Sequence, residues 1–283
     1  MISFRERHFA AQDGLRLYFR DYGDPLSPRR PLLCLSGIVR NSADFADLAA
    51  RHAGERRVLA LDYRGRGRSQ YDGNWRNYDP FVYANDIAHL IAAMGLHQVV
   101  VVGTSLGAAL AMGLSVVKPT ALAAVVLNDL GPDVTPGGVG RILDYIGEDH
   151  PQPDWPSAVR YLQELLPTLS IRTEAGWLKM ARGTFREGAD GLLHVDWDVK
   201  VAQPLARAQG PLPDMWPYFR ALGRIPALAL RGALSDVLAA ETFERMALAK
   251  PDLVRVTVSD SGHAPTLNEP EAAAAVDAFI RRF

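Results

Sequence analysis

The segment Gly103-Thr104-Ser105-Leu106-Gly107 places a serine between two glycines, after a run of valines and before a run rich in alanine. Small residues two before and two after the serine predict a strand that turns sharply into a helix. Such a turn lifts the serine hydroxyl out of the sheet edge and aims the next backbone N–H groups at the same point. We therefore predict that Ser105 is a nucleophile. The alternative interpretation is a turn whose glycines serve only for close packing.

A serine nucleophile needs a histidine within hydrogen-bond reach, because the hydroxyl is weakly reactive near neutral pH. The chain has seven histidines. His263 lies in the loop 259–265, directly after the last predicted strand, so it should reach the same sheet edge as Ser105. Loops held by a rigid scaffold often carry catalytic groups. We predict that His263 is the general base, the alternative being an ordinary surface-loop histidine.

The histidine in turn needs a carboxylate that sets its tautomer. Asp236 follows the predicted strand Ile225 to Leu230, and it stands between Ser105 and His263 in the chain. Asp129 follows the strand that precedes the middle segment of the chain, and it could occupy a nearby place. We predict Asp236 as the acid and keep Asp129 as the alternative.

The elements that must position these residues follow an α/β rhythm. Strands that lack polar alternation are typical of a mostly parallel sheet covered on both faces by helices. In the first 130 residues the predicted strands are Leu15 to Tyr22, Pro31 to Ser36, Arg57 to Asp62, Gln98 to Gly103 and Ala123 to Asn128. Helices are predicted between them at Ser42 to Ala53 and at Asp79 to Met94.

The middle of the chain has a different texture. Residues 131–223 are rich in proline and tryptophan, and short helical patterns predicted at 138–147, 157–166, 173–188 and 214–223 are separated by Pro and Gly. Strands at 225–231 and 253–259 and helices at 240–250 and 270–283 then resume the rhythm. We predict a core made of residues 1–130 and 224–283, with residues 131–223 inserted into it.

Taken together, the chain resembles α/β-hydrolase fold enzymes over nearly its whole length. Leu35–Ile38 is similar to the family's oxyanion loop, and Leu61–Ser69 to its D-x-R-G-x-G-x-S loop. The resemblance implies an eight-stranded, mostly parallel sheet with helices on both faces and a helical cap. It also implies that Ser105 attacks the substrate, that His263 shuttles the proton and that Asp236 orients His263.

The resemblance further implies that the backbone N–H groups of Ile38 and Leu106 receive the oxyanion. One departure affects this expectation, because the family's loop usually begins with His-Gly and this chain has Ser36-Gly37. A neighbour of Ile38 therefore stays open as the donor. The arginines of the second loop (Arg64, Arg66 and Arg68) are expected to brace loops or face solvent rather than bind substrate.

Substrate contacts are expected from two further groups. Arg40 follows the oxyanion loop and could hold a substrate carboxylate, although Arg40 and Asn41 also suit a loop-bracing or helix-capping pair. Among the four tryptophans of residues 131–223, we name Trp155 and Trp177 as candidates to line an apolar pocket. The alternative is that the tryptophans form the insertion's own small core.

Composition restricts the classes of partner and cofactor that the chain is expected to bind. A net charge of −1 without a basic tail disfavours nucleic acid, and the single cysteine and the lack of a Cys/His cluster predict neither a disulfide nor a bound metal. No dinucleotide-binding or phosphate-binding glycine pattern is present, so no cofactor is expected. The uncharged run Val99 to Val117 contains the Gly-rich turn and is predicted as strand and helix, not as a membrane span. We expect a cytoplasmic monomer or homodimer that acts on a small molecule and does not bind membranes.

Serine at the turn favours acyl transfer to water. We predict hydrolysis of a small, largely apolar ester or lactone through an acyl-Ser105 intermediate. Carbon–carbon bond hydrolysis of ring-fission products and enol-lactone hydrolysis are close alternatives within the same fold. A member of the fold that binds a ligand without turnover is the alternative of another class.

Overall fold

The computed structural model describes residues 2–208 and 213–283, and an eight-stranded sheet forms its centre. The strands, in chain order, are β1 (Arg5–Ala10), β2 (Arg16–Tyr22), β3 (Leu32–Leu35), β4 (Val58–Leu61), β5 (Val99–Thr104), β6 (Leu122–Asn128), β7 (Phe185–Glu187), β8 (Leu193–Val195), β9 (Ala227–Gly232) and β10 (Val254–Val258). The pair β7 and β8 forms a separate antiparallel hairpin.

The main sheet has the order β1-β2-β4-β3-β5-β6-β9-β10. The first two pairings are antiparallel, and all pairings from β4 to β10 are parallel. Every residue of β3, β4 and β6 is buried, as their continuous apolar runs predicted for strands covered on both faces. The carboxyl ends of the parallel strands therefore meet at one edge of the sheet, where their loops can combine.

Strand β1 lies outside the strands predicted from the sequence. Its residues are largely exposed and charged, with the sequence RERHFA, and it pairs only with β2 at the edge of the sheet. A strand in this position buries too little apolar surface to show the pattern used for the inner strands.

Helices cover both faces of the sheet and fill the segment between β6 and β9. They are α1 (Ala46–His52), α2 (Pro80–Ala93), α3 (Leu106–Val117), α4 (Pro136–Ile146), α5 (Trp155–Leu165), α6 (Glu174–Arg182), α7 (Gln203–Ala206), α8 (Trp216–Ala221), α9 (Ala240–Ala249) and α10 (Pro270–Ile280). Two apolar cores separate the sheet from these layers, one on each face.

The start of α2 shows the local chemistry that was predicted for it. The Asp79 side chain accepts a hydrogen bond from the backbone N–H of Phe81, and Pro80 occupies the first turn. The uncharged run 99–117 divides into β5 and α3, as predicted. Within residues 2–208 and 213–283, no helix is long and apolar enough to cross a membrane.

The segment between β6 and β9 departs from the prediction in two places, one of which is the short helix α7, where no helical pattern was predicted. The helical pattern at 173–188 continues only to Arg182, because Gly183 ends α6 and the chain then enters the β7–β8 hairpin. Further along, α8 packs against α3, and the Ser115 hydroxyl donates to the carbonyl of Tyr218 at 3.2 Å. The predicted boundary at residue 223 thus follows a helix that contacts the core, and the division into core and insertion stays a prediction.

Candidate active site

Ser105 occupies a strained position between β5 and α3. Its backbone has φ +52° and ψ −116°, in the left-handed region that residues with a side chain rarely adopt. A Cβ at Gly107 would lie 2.0 Å from the carbonyl oxygen of Leu35, and one at Gly103 would lie 2.3 Å from that of Gly107. The two glycines therefore serve close packing, and the same packing fixes the turn that presents the serine hydroxyl.

His263 reaches Ser105 from the loop after β10. Its Nε2 lies 2.8 Å from the Ser105 Oγ, and its Nδ1 lies 2.8 Å from the Asp129 Oδ2. When Nδ1 carries the proton and donates to the carboxylate, Nε2 is left as an acceptor for the serine hydroxyl. The structure thus brings together the two residues that the sequence named as nucleophile and base.

Asp129 supplies the carboxylate at His263. It follows β6 directly, is fully buried and has a backbone φ of +56°. Oδ1 accepts from the backbone N–H of Gly232 at 2.8 Å, and Oδ2 accepts from the hydroxyl of Ser235 at 2.7 Å as well as from His263. Three donors therefore satisfy a charge that would otherwise be costly to bury.

The prediction that Asp236 contacts His263 is wrong. Its carboxylate forms a two-point ion pair with Arg141 of α4, at 2.5 and 2.9 Å, and its side chain is 44% exposed. The hydrogen bond from Arg141 holds the pKa of Asp236 below its ordinary value. The loop after β9 directs the Ser235 side chain towards Asp129 and the Asp236 side chain towards α4. These directions depend on the path of the backbone, which the spacing of residues in the sequence does not reveal. The alternative named from the sequence, Asp129, occupies the place.

The loop after β3 closes into a tight turn beside Ser105. The backbone N–H of Arg40 donates to the carbonyl of Gly37 at 3.1 Å, and the Ser36 hydroxyl donates to the carbonyl of Arg40 at 3.0 Å. Because a trans peptide directs its C=O and N–H oppositely, the N–H of Ile38 points away from this turn. In the described part of the chain, no hydrogen bond to another residue occupies the N–H of Ile38 or Leu106. Both are free to donate, and their role as the oxyanion donors stays a prediction.

Arg66 braces this loop from behind. It is fully buried, and its Nε donates to the carbonyl of Ile38 at 2.7 Å. Its Nη1 donates to the hydroxyl of Tyr83 and to the carbonyl of Arg64, both at 2.7 Å. Sequence reasoning expected a bracing role for the arginines of this segment but did not connect Arg66 with the oxyanion loop.

The neighbouring arginines differ in environment. Arg64 is buried and pairs with three aspartates, namely Asp13, Asp72 and Asp86. Arg68 is exposed and pairs with Glu6. Both arrangements agree with bracing and solvent-facing roles.

A cavity of about 1100 Å³ lies over Ser105 and His263. Its walls are mainly apolar and come from both the core and the segment between β6 and β9; the apolar lining residues include Ile38, Val39, Ile142, Tyr145, Leu162, Leu166, Leu169 and Trp197. A cavity of this size is slightly larger than the range of about 300–1,000 Å³ that holds drug-sized ligands.

The two tryptophans named from the sequence do not line this cavity. Trp155 stacks with Arg182, whose guanidinium carbon lies 5.4 Å from the ring centre, and Trp177 is buried among apolar side chains. Trp197 lines the cavity instead, and its indole N–H donates to the carbonyl of Ile146 at 2.9 Å. Spacing along the chain does not show which faces of short helices and turns look inward, so the sequence could not separate these residues.

Arg40 lines the cavity but has protein partners. Its guanidinium forms a two-point ion pair with Asp44, at 2.6 and 2.9 Å, and also contacts the hydroxyl of Thr184. Asn41 caps the turn that follows and donates to the carbonyl of Gly183 at 3.0 Å. The loop-bracing interpretation of this pair therefore describes it better than the substrate-carboxylate interpretation.

Comparison with known proteins agrees with the fold. Residues 32–276 match the model of the alpha/beta hydrolase family. A 3-hydroxybutyrate-oligomer hydrolase from Cupriavidus necator is 33% identical over 274 residues, which are 94% of this chain and 92% of the relative. A 2-(acetamidomethylene)succinate hydrolase from Mesorhizobium japonicum is 28% identical over 85% of this chain and 84% of its own.

A solved structure gives the same result in three dimensions. The crystal structure of an alpha/beta hydrolase from Novosphingobium aromaticivorans superposes with a TM-score of 0.93, at 41% identity and with all of both chains covered. The chain therefore belongs to the alpha/beta hydrolase family, and it is a hydrolase.

Proposed function

We propose that the chain is a serine hydrolase that cleaves a small, largely apolar ester or lactone through an acyl-Ser105 intermediate. The hydrogen-bonded series Ser105–His263–Asp129 carries this proposal, because both contacts have a length of 2.8 Å, within the reach that proton transfer from serine requires.

In the first step, His263 Nε2 takes the proton of the Ser105 hydroxyl while Oγ bonds to the carbonyl carbon of the substrate. The electron pair of the carbonyl moves to its oxygen, which the N–H groups of Ile38 and Leu106 would bind. Collapse of this intermediate breaks the ester bond, and the leaving alcohol takes the proton from His263. Water then repeats the sequence, releasing the acid and restoring Ser105.

Asp129 keeps Nδ1 protonated and stabilises the imidazolium that forms in each half-reaction. Ser235 holds the same carboxylate oxygen as His263, at 2.7 Å, so it limits the directions that the carboxylate can adopt. We assign the acid role to Asp129 on this geometry.

The cavity supports an apolar substrate longer than the smallest esters. Its walls are mainly apolar, and its volume of about 1100 Å³ leaves space beyond one short acyl chain. The relative from Cupriavidus necator is a hydrolase of 3-hydroxybutyrate oligomers, which are chains of short esters. We propose such oligoesters as the first natural substrates to test. We also propose that the segment 131–223 forms a cap over the bound substrate. The proposed location of the protein is the cytoplasm.

Release of p-nitrophenol from a chain-length series of p-nitrophenyl esters tests the proposal. The kcat of Ser105→Ala should be roughly four to six orders of magnitude below that of the wild type. Its Tm should equal that of the wild type. Ser27→Ala, in the loop between β2 and β3, is the matched control. Retained turnover in Ser105→Ala would exclude the acyl-serine mechanism.

If the wild type hydrolyses neither the ester series nor 3-hydroxybutyrate dimers, the proposal of ester hydrolysis loses its support. Tight binding of an ester without release of product would then favour the ligand-binding alternative. Arg40, the residue named for the carboxylate of a ring-fission product, is held by Asp44, so it does not favour carbon–carbon bond hydrolysis over ester hydrolysis.

A further inference from the structure

A second, smaller cavity adjoins the catalytic one. It has a volume of about 370 Å³ and lies between β2, residues 41–43, the loop 62–68 and the β7–β8 hairpin with its flanks. Four residues line both cavities: Arg20, Ala43, Arg182 and Phe185. These shared residues lie at the boundary between the two cavities, which we call the junction.

The side cavity is rich in arginine. Arg20, Arg68, Arg182 and Arg186 line it, and Asp62 and Asp196 are the acids among its lining residues. Within the described residues, two of the arginines have acidic partners: Arg68 pairs with Glu6, and the Arg186 Nε lies 3.7 Å from the Asp196 Oδ1.

Both carboxylate oxygens of Asp62 accept hydrogen bonds from backbone N–H groups. Its Oδ1 accepts from the N–H of Ser42 at 2.6 Å, and its Oδ2 accepts from the N–H of Arg68 at 2.9 Å. Burial raises the pKa of Asp62 and raises that of Asp196 to about 6. Neither acid forms an ion pair with Arg20 or Arg182.

Arg20 and Arg182 therefore form no ion pair within 4.0 Å among residues 2–208 and 213–283, although the charge of Asp62 acts on Arg20 at longer range. The Arg20 Nε is buried and has no hydrogen-bond partner there. Aromatic rings support both guanidinium groups, since that of Arg20 lies 4.6 Å from the ring centre of Phe4 and that of Arg182 lies 5.4 Å from the ring centre of Trp155. Such stacking holds a guanidinium in place but leaves its N–H groups free for an anion.

Arg172, on another wall of the catalytic cavity, has a different setting. It donates to the carbonyl of Asp260 at 3.2 Å, and Asp260, Glu269 and Glu271 line the cavity beside it. An anion would meet acidic side chains in that region. The junction at Arg20 and Arg182 is consequently the part of the cavity best suited to a negative group.

We infer that the junction between the two cavities binds the carboxylate of an ester substrate, with Arg20 as the main contact and Arg182 as the second. The inference rests on the proposed function, and it deepens it by naming the substrate class: esters that carry a carboxylate remote from the bond that is cleaved. The carboxylate accepts hydrogen bonds from the guanidinium groups, while the apolar part of the substrate occupies the space over Ser105. A free end of an oligoester has this chemistry.

A matched pair of substrates tests this inference. The mono-p-nitrophenyl ester of adipic acid carries a carboxylate at the end of a six-carbon acyl chain, and p-nitrophenyl hexanoate is its neutral counterpart. The measured quantity is the ratio of kcat/KM for the anionic ester to that for the neutral one. Arg20→Met should lower this ratio about tenfold and Arg182→Met about threefold, because Arg182 is more exposed to water. Arg29→Met, an exposed loop arginine with the same change of charge, is the control and should leave the ratio unchanged.

The position of the carboxylate can be read from a third substrate, 4-(hexanoyloxy)benzoate, which carries it on the leaving group. A loss that Arg20→Met shows only with this ester supports binding from the leaving-group side. Equal ratios for Arg20→Met and Arg29→Met with both anionic esters would overturn the inference. Turnover of the neutral ester under those conditions would leave the proposed function intact.

Two further measurements keep the result independent of folding and of turnover. Arg20→Gln preserves polarity and should also lower the ratio, so a loss of fold in Arg20→Met does not decide the matter. Calorimetry on Ser105→Ala compares the binding of the mono-p-nitrophenyl ester of adipic acid with that of neutral p-nitrophenyl hexanoate, without catalysis. Adding Arg20→Met to this variant should weaken binding of the anionic ester about tenfold relative to the neutral one, and an unchanged relative affinity would contradict the inference.

Discussion

The substitution Asp129→Asn tests the acid assignment most directly, and Asp236→Asn is its matched control. Asp129→Asn keeps the size of the side chain, and the new amide oxygen could still accept from the N–H of Gly232. The new NH₂ group would instead face His263 Nδ1, where the carboxylate now accepts a hydrogen bond. The imidazole would then carry its proton on Nε2, where it cannot accept the proton of Ser105.

The size of the effect follows from this change of tautomer. We expect kcat to fall by roughly 10⁴-fold, the loss seen when a triad carboxylate becomes an amide, which corresponds to about 5 kcal/mol of transition-state stabilisation. Asp236→Asn weakens a partly exposed pair with Arg141, which contributes at most about 1 kcal/mol to stability. Its kcat should stay within about threefold of the wild type.

Steady-state hydrolysis of p-nitrophenyl butyrate measures both variants, with thermal unfolding followed by circular dichroism to confirm that each is folded. The geometric reasoning is refuted if Asp236→Asn loses activity by orders of magnitude while Asp129→Asn, equally well folded, retains it. Such a result would mean that the carboxylates exchange roles when substrate binds.

Three further expectations follow from the same contacts. Arg66→Met removes the donor behind the oxyanion loop, so kcat should fall roughly 10- to 100-fold with little change in KM, and Arg66→Lys should recover part of it; a change confined to KM would contradict a positioning role. Gly107→Ala would place a Cβ 2.0 Å from the carbonyl oxygen of Leu35, so urea unfolding should show a loss of roughly 2–3 kcal/mol or more, and wild-type stability would show that the turn can relax. Hydrogen bonds to two aspartates raise the pKa of His194, so its contribution to stability is complete below pH 6.5 and is lost as pH rises through the folded pKa. The difference in Tm between wild type and His194→Gln should therefore shrink from pH 5.5 to 8.5, and a constant difference would argue against this linkage.

The inner strands and helices were predictable because buried positions carry apolar residues in a recognisable pattern along the sequence. Valine and leucine runs without polar alternation marked β3 to β6, and Asp79 with Pro80 marked the start of α2. The edge strand β1 and the β7–β8 hairpin escaped prediction because exposed or very short strands impose little on composition.

By itself, the sequence named Ser105 and His263 as the candidate nucleophile and base, and the structure places the two side chains 2.8 Å apart. The glycines at 103 and 107 allow the tight turn around Ser105. The loop after the last strand of a parallel sheet begins at the carboxyl edge of the sheet, so His263 lies at the same edge as Ser105. Tertiary structure decided the acid, since β6 and β9 are neighbours in the sheet and both end near His263. The direction of two loop side chains then separates Asp129 from Asp236. The same holds for Trp197 and for the unpaired Arg20, because a residue's neighbours across a fold depend on packing between distant segments, which local spacing does not encode.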